Sequence, residues 1–166
     1  MSKFRKETDL LLRSLQSGNN CNWEELYLHT FNHIKGLALK YLIDKTVWKE
    51  VVNQTYIRVL RQIETLADFN DGYDFMRETV QNVALEFNGN REFCEPEDKV
   101  FAYLSQLGSD LGGFYFQLSL LSLEDQNIIW LRFWEELSCS EIAKLMGSTK
   151  SSIRKRIKLI LKNVKS

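Results

Sequence analysis

The feature that most constrains the fold is the stretch 137–166, which reads as two amphipathic helices joined by a tight turn. Ser138 and Glu141 have capping-box spacing and predict a helix start, because each side chain can satisfy a backbone N–H that the first turn leaves open. Cys139, Ile142, Ala143 and Met146 then recur at i, i+3, i+4 and i+7, the period of one buried helical stripe. Gly147 stops that helix, and Ser148 and Thr149 offer caps for the next. In the second helix Ile153, Ile157, Ile160, Leu161 and Val164 again fall on one face. The stretch is therefore a helix-turn-helix.

The opposite face of the second helix carries Lys155, Lys158, Lys162 and Lys165, with Arg154 at its edge and Ser151 at its start. No Asp or Glu occurs from Ser148 onward. A lysine-rich face is ordinarily a solvated one. Its coincidence with the turn chemistry and the short capped first helix points instead to a DNA groove. In such motifs the N-terminal residues of the second helix meet base edges and flanking cations meet phosphates. Lys150, Ser151, Ser152, Arg154, Lys155 and Lys158 are accordingly assigned to the DNA side. Arg156 flanks the apolar stripe and suits either DNA or a carboxylate of the first helix such as Glu141.

Composition sets the frame for the rest. The chain has 166 residues, 44% of them hydrophobic, which leaves room for one domain or two small ones with a core. The formal net charge is +0, which argues against a general nucleic-acid binder, but the average hides an acidic stretch at 92–125 and a basic end. One proline, few glycines and little β-branched alternation predict an all-α protein. Cys21, Cys94 and Cys139 have no metal-ligand spacing and read as reduced thiols of a cytoplasmic protein. No signal-type apolar run and no stretch of membrane-spanning length is present. His29 and His33 stand at i, i+4, yet no Glu occupies the catalytic position of a zinc motif and no third ligand is evident. Without a phosphate loop, a nucleophile elbow or a Ser/His/Asp set, neither a cofactor nor an enzymatic activity is expected.

Further helices are expected at 8–16, 23–42, 47–66 and 75–87. In the third of these Val52, Tyr56, Val59, Leu60 and Ile63 form the inner stripe. Asn53, Gln54, Ile57, Arg58 and Arg61 form a mixed outer face that suits a protein partner better than plain solvent. Phe69-Asn70-Asp71-Gly72-Tyr73-Asp74 reads as a loop with aromatic ends, and Asn88-Gly89-Asn90 as a stop. The polar segment 91–97, with Pro96, reads as a linker between domains 1–90 and 98–166. Helices at 98–106, 114–121 and 123–135, with a glycine turn around Gly112-Gly113, lead into the helix-turn-helix. Trp130, Phe133 and Trp134 read as packing of a small domain.

Two helical modules, a short linker and a C-terminal helix-turn-helix resemble a bacterial RNA polymerase sigma factor of the extracytoplasmic-function type. The block Trp48-Lys-Glu-Val-Val-Asn-Gln-Thr-Tyr-Ile-Arg-Val-Leu60 looks like the region-two helix that docks on the polymerase clamp. The block from Leu120 to Gly147 looks like region four, with 149–164 as its recognition helix. The resemblance implies that Glu50, Asn53, Gln54, Ile57 and Arg61 contact core RNA polymerase, with Glu50 where the family often has Asp and Asn53 where it usually has Gln. It implies that Tyr73, Arg77 and Asn82 act on the minus-ten element, with Phe69 and Tyr73 offering stacking surfaces to a flipped base. It implies that the C-terminal helix reads the minus-thirty-five element in the major groove. The implied partners are core polymerase, at its clamp and flap regions, promoter DNA and an anti-sigma factor.

One departure matters. Where this family commonly ends its minus-ten helix in a basic cluster, the chain reads Glu86-Phe87-Asn88-Gly89-Asn90-Arg91-Glu92. Phosphate contacts supply most non-specific affinity, so the first domain is expected to grip DNA weakly. Two rival readings stand beside the leading one: a stand-alone helix-turn-helix regulator, and a polymerase-interacting protein that has lost promoter opening.

Overall fold

The computed structural model describes residues 2–18, 22–65, 72–107 and 112–165. Among these residues the fold is all-α, and the chain divides into two compact units, Met1–Cys94 and Glu95–Ser166.

The first unit is built from α1 (Lys3–Gln16), α2 (Asn22–Tyr41), a 3-10 turn (Lys45–Val47), α3 (Trp48–Ile63) and α4 (Gly72–Phe87). α1 begins five residues before its expected start because Ser2 caps it, accepting from the Arg5 N–H. Its extra turn carries Phe4, which stacks on His29 and His33 at ring-centroid distances of 4.5 and 4.9 Å. The two histidines are thus packing residues. α2, α3 and α4 pack on one another around Leu26, Leu37, Val51, Val59, Val80 and Val83, each of them 0% exposed. Tyr56 is also buried, and its hydroxyl is matched by Thr30 at 2.7 Å; burial pushes its pKa well up. Leu60, expected on the inner stripe of α3, is instead exposed.

Gly72 was expected in a loop but opens α4. A Cβ there would stand 2.6 Å from the Leu12 side chain and 3.1 Å from the Asp9 backbone, so a glycine lets α1 lie directly against this turn. Asp9 accepts from the Gly72 N–H at 3.1 Å and so acts on the new helix from across the interface. At its other end α4 stops at Asn88, which is 5% exposed. Its amide accepts from the Ile43 N–H at 2.9 Å and donates to the Tyr41 carbonyl at 2.7 Å, tying the end of α4 to the end of α2. Gly89 and Asn90 then adopt left-handed backbone, φ 68° and 63°, and turn the chain away.

The second unit contains α5 (Glu97–Gln106), α6 (Gly112–Ser119), α7 (Leu123–Phe133), α8 (Cys139–Met146) and α9 (Lys150–Lys165). The expected glycine turn is the start of α6. Val100, Phe101, Leu104, Leu118 and Ile129 form one core with Trp130 and Trp134, whose rings stack at 4.8 Å. Phe133, expected in this group, is 39% exposed and stands outside it. Gln126 is buried, and its amide donates to the carbonyls of Ser119 and Leu121, closing the C-terminal end of α6. Among the described residues no helix is long and apolar enough to cross a membrane.

Candidate nucleic-acid interface

The turn between α8 and α9 forms as its sequence dictates. The Ser138 hydroxyl accepts from the Glu141 N–H, and the Glu141 carboxylate accepts from the Ser138 N–H, each at 3.2 Å. Gly147 is left-handed at φ 65°, and the Ser148 N–H returns to the Ala143 carbonyl at 2.8 Å. Thr149 caps α9 by accepting from the Ser152 N–H at 3.2 Å. Ile128 of α7, Ile142 and Ala143 of α8, and Ile153 and Ile157 of α9 then form a shared buried cluster. Three helices thus fix the direction in which α9 presents its outer face.

That face is polar and cationic. Lys150, Ser151, Ser152, Arg154, Lys155 and Lys158 are all exposed. Arg154, Lys155 and Lys158 take part in no ion pair among the described residues, so their charge is uncompensated. Arg156 is different. Its guanidinium donates to the Glu124 carboxylate at 3.0 Å and to Asp125 at 2.6 Å, both in the first turn of α7. Those hydrogen bonds, Glu124 first, raise its pKa. Glu141 is not its partner, because that carboxylate is committed to the capping box. Arg156 therefore ties α9 to α7. Leu159, which sequence reasoning left unassigned, is 59% exposed. Its position four residues after Lys155, on the cationic side of the helix, could have identified it.

In the first unit α3 leaves Glu50, Asn53, Gln54, Ile57 and Arg61 exposed on one side, as the helical period requires. Ile57 and Leu60 add exposed apolar area, 39% and 45%. Arg58, expected on this face, reaches across to Glu86 of α4, with one of two parallel bonds at 2.8 Å. The pair raises the Arg58 pKa and lowers that of Glu86. A bidentate pair of this kind locks the two helices together.

The three residues expected at the minus-ten element all lie on α4 but differ in exposure. Asn82 is exposed and lines a pocket of about 500 Å³ with Tyr41, Leu85, Arg91 and Phe93. Arg77 is half-buried. Tyr73 corrects the expectation. It lies in the first turn of α4, is 2% exposed, and its hydroxyl is bonded to His33 Nε2 at 2.6 Å. Phe4 meets its ring edge-on at 6.0 Å and the Arg5 guanidinium stands 4.7 Å above it. A ring so enclosed has no face for a base. Phe69 lies outside the described residues. The last turn of α4 carries no basic residue, and Arg91 beyond it donates to the Asn88 carbonyl at 3.0 Å. Among the described residues no group of three or more His, Cys, Asp or Glu is placed to hold a metal ion.

Residues 118–166 match the family model described as Sigma-70, region 4. The matched segment contains α7, α8 and α9 entire, together with the turn and the cationic face. It supports a sigma-factor-like or other helix-turn-helix DNA-binding role in transcription. No curated protein matches the chain.

Proposed function

We propose that the chain is a promoter-specificity subunit of the extracytoplasmic-function sigma type, which binds core RNA polymerase and directs transcription initiation. The observation that carries this reading is the uncompensated cationic face of α9 on a segment that matches sigma-70 region 4. In this reading the N-terminal end of α9 enters the major groove at the minus-thirty-five element. Arg154 is the side chain suited to a guanine edge, and Lys155 and Lys158 lie toward phosphates. The exposed face of α3 docks on the polymerase through Glu50, Asn53, Gln54, Ile57 and Arg61, and Asn82 of α4 faces the minus-ten element. The test is association of the full chain with purified core polymerase, followed by run-off transcription on a genomic promoter library. Ile57→Asp and Arg61→Glu should each weaken core association without loss of helical content. Parent-like binding by both would refute the docking assignment.

A second reading has its own support. The last turn of α4 has no cation, Glu86 is held by Arg58, and Arg91 is turned onto backbone. This surface is poorly equipped to hold an opened strand. A polymerase-interacting protein that lacks promoter opening would show core binding and no transcripts from duplex templates. A stand-alone regulator would show no core binding.

A further inference from the structure

The first unit buries the stems of Lys35 and Lys45, and their ammonium groups are treated differently. Lys45 donates to the Leu42 carbonyl and stands 4.7 Å over the Phe93 ring. Lys35, 4% exposed, has its ammonium 4.9 Å from the centre of the Trp48 ring and 5.9 Å from that of Phe31. No oxygen accepts a hydrogen bond from it among the described residues. Lys49 brings a second ammonium to 5.8 Å from the same Trp48 ring, and it too lacks an anionic partner there. Two cations therefore share one aromatic ring with no carboxylate between them. Their mutual repulsion and the desolvation of Lys35 both act to lower the Lys35 pKa, desolvation more strongly. Aromatic faces attract each ammonium but neutralise neither. An anion seated beside the exposed Lys49 would offset the repulsion between the two ammonium groups.

The surroundings choose among anions. Lys49 flanks the exposed side of α3, with Asn53 one turn further on and Ile57 beyond it. Glu50, the next residue, is exposed as well. A carboxylate there repels a polyanionic backbone, whereas rows of cations are the usual seat of phosphates. An amide, an exposed isoleucine and charges of both signs are what a protein surface meets at the rim of an interface. We propose that Lys35, Trp48 and Lys49 form an anion-receiving point that takes a carboxylate side chain of the protein docking on α3. This rests on the reading of α3 as the polymerase-docking helix and adds a charge-selective contact at its N-terminal end.

The test compares binding of the full chain to purified core polymerase at low and high salt. Lys49→Gln is exposed and leaves the fold intact; Lys35→Met keeps the buried stem and removes only the charge. Each should weaken binding roughly threefold to tenfold at low salt, the size of a rim charge contact, and the difference should shrink at high salt. Ile57→Asp is the control and should weaken binding at both salts. Parent-like affinity for both lysine variants, with Ile57→Asp still weakened, overturns the anion point and leaves the docking helix standing. Weakening by the lysine variants with Ile57→Asp silent supports the anion point and removes the apolar part of the docking face. Silence of all three overturns both. Unchanged core binding with weakened promoter binding by the assembled complex overturns the proposal in favour of a phosphate.

Discussion

Arg154, Lys158 and Arg156 lie within two turns of α9, yet the structure predicts three different phenotypes for their loss. Arg154 and Lys158 are exposed and form no ion pair among the described residues, so Ala at either position removes nothing that holds the fold. If Arg154 makes a bidentate contact to a base, its loss costs about 1–3 kcal/mol at one position of the site. That is roughly 5-fold to 150-fold in preference, at about 1.4 kcal/mol per factor of ten. Lys158→Ala should weaken all sequences alike and reduce the slope of log affinity against log salt by about one unit, the signature of one lost phosphate contact. Arg156→Ala should spare both the profile and the slope. It breaks a pair with Glu124 and Asp125 in which the arginine side chain is 37% exposed. At that exposure the pair contributes about 1 kcal/mol or less. For a domain of about 60–100 residues this lowers Tm by roughly 4–8 °C per kcal/mol. The assay is a binding titration of the chain assembled with core polymerase on a randomised upstream element at several salt concentrations, with a thermal melt of each variant. An unchanged profile for Arg154→Ala together with an unchanged slope for Lys158→Ala would make the cationic face a solvated one. A changed slope for Arg156→Ala with an unchanged melt would refute its assignment as a tie between helices.

Tyr73 separates packing from base stacking. Tyr73→Phe should remove the hydroxyl bond to His33 and cost about 1 kcal/mol, whereas Tyr73→Ala should cost about 3–5 kcal/mol by opening a cavity among Phe4, His33 and Arg5; chemical denaturation of both variants checks this. Lys35 should oppose folding at neutral pH, because its folded pKa is lowered from 10.5 by burial and by Lys49. The penalty is complete below the folded pKa and fades as pH rises toward 10.5, so Lys35→Met should be more stable than the parent at pH 7, with the gap closing at alkaline pH. A gap of the opposite sign, or one independent of pH, would contradict this.

The sequence was most legible where a helix end is built from its own neighbours. Ser138, Glu141 and Gly147 satisfy α8 locally, and each does what its spacing predicts. It was least legible where a neighbour from far along the chain decides. Gly72 and Gly112 look like turn residues, but each opens a helix; at Gly72 the reason is the approach of Leu12 and Asp9. Tyr73 looks like an exposed aromatic until α1, extended by the Ser2 cap, brings Phe4 and Arg5 onto its ring. The partner of Arg156 could not be read from its own motif, since the carboxylates that hold it, Glu124 and Asp125, lie about thirty residues earlier on α7. Helical period placed the outer face of α3 well, but it could not say that Arg58 would leave that face to meet Glu86.

These pairings decide where the charge of a formally neutral chain acts. In the first unit Arg5 pairs with Asp74, Arg13 with Asp9 and Arg58 with Glu86, so these arginines are spent on joining or stiffening helices. On α9 Arg156 is held in this way, while Arg154, Lys155 and Lys158 form no ion pair among the described residues. A paired arginine offers little counterion release, because its charge is already balanced at short range; an unpaired exposed lysine offers nearly a full unit. Folding therefore leaves Arg154, Lys155 and Lys158 together on one exposed face of α9, the charge that the proposed DNA contact would use. The exposed mixed surface of α3, where Glu50 and Lys49 stand side by side, is left for a partner that can match both signs. The division follows from which cations find carboxylates within the fold and which do not, and the net charge of +0 carries no trace of it.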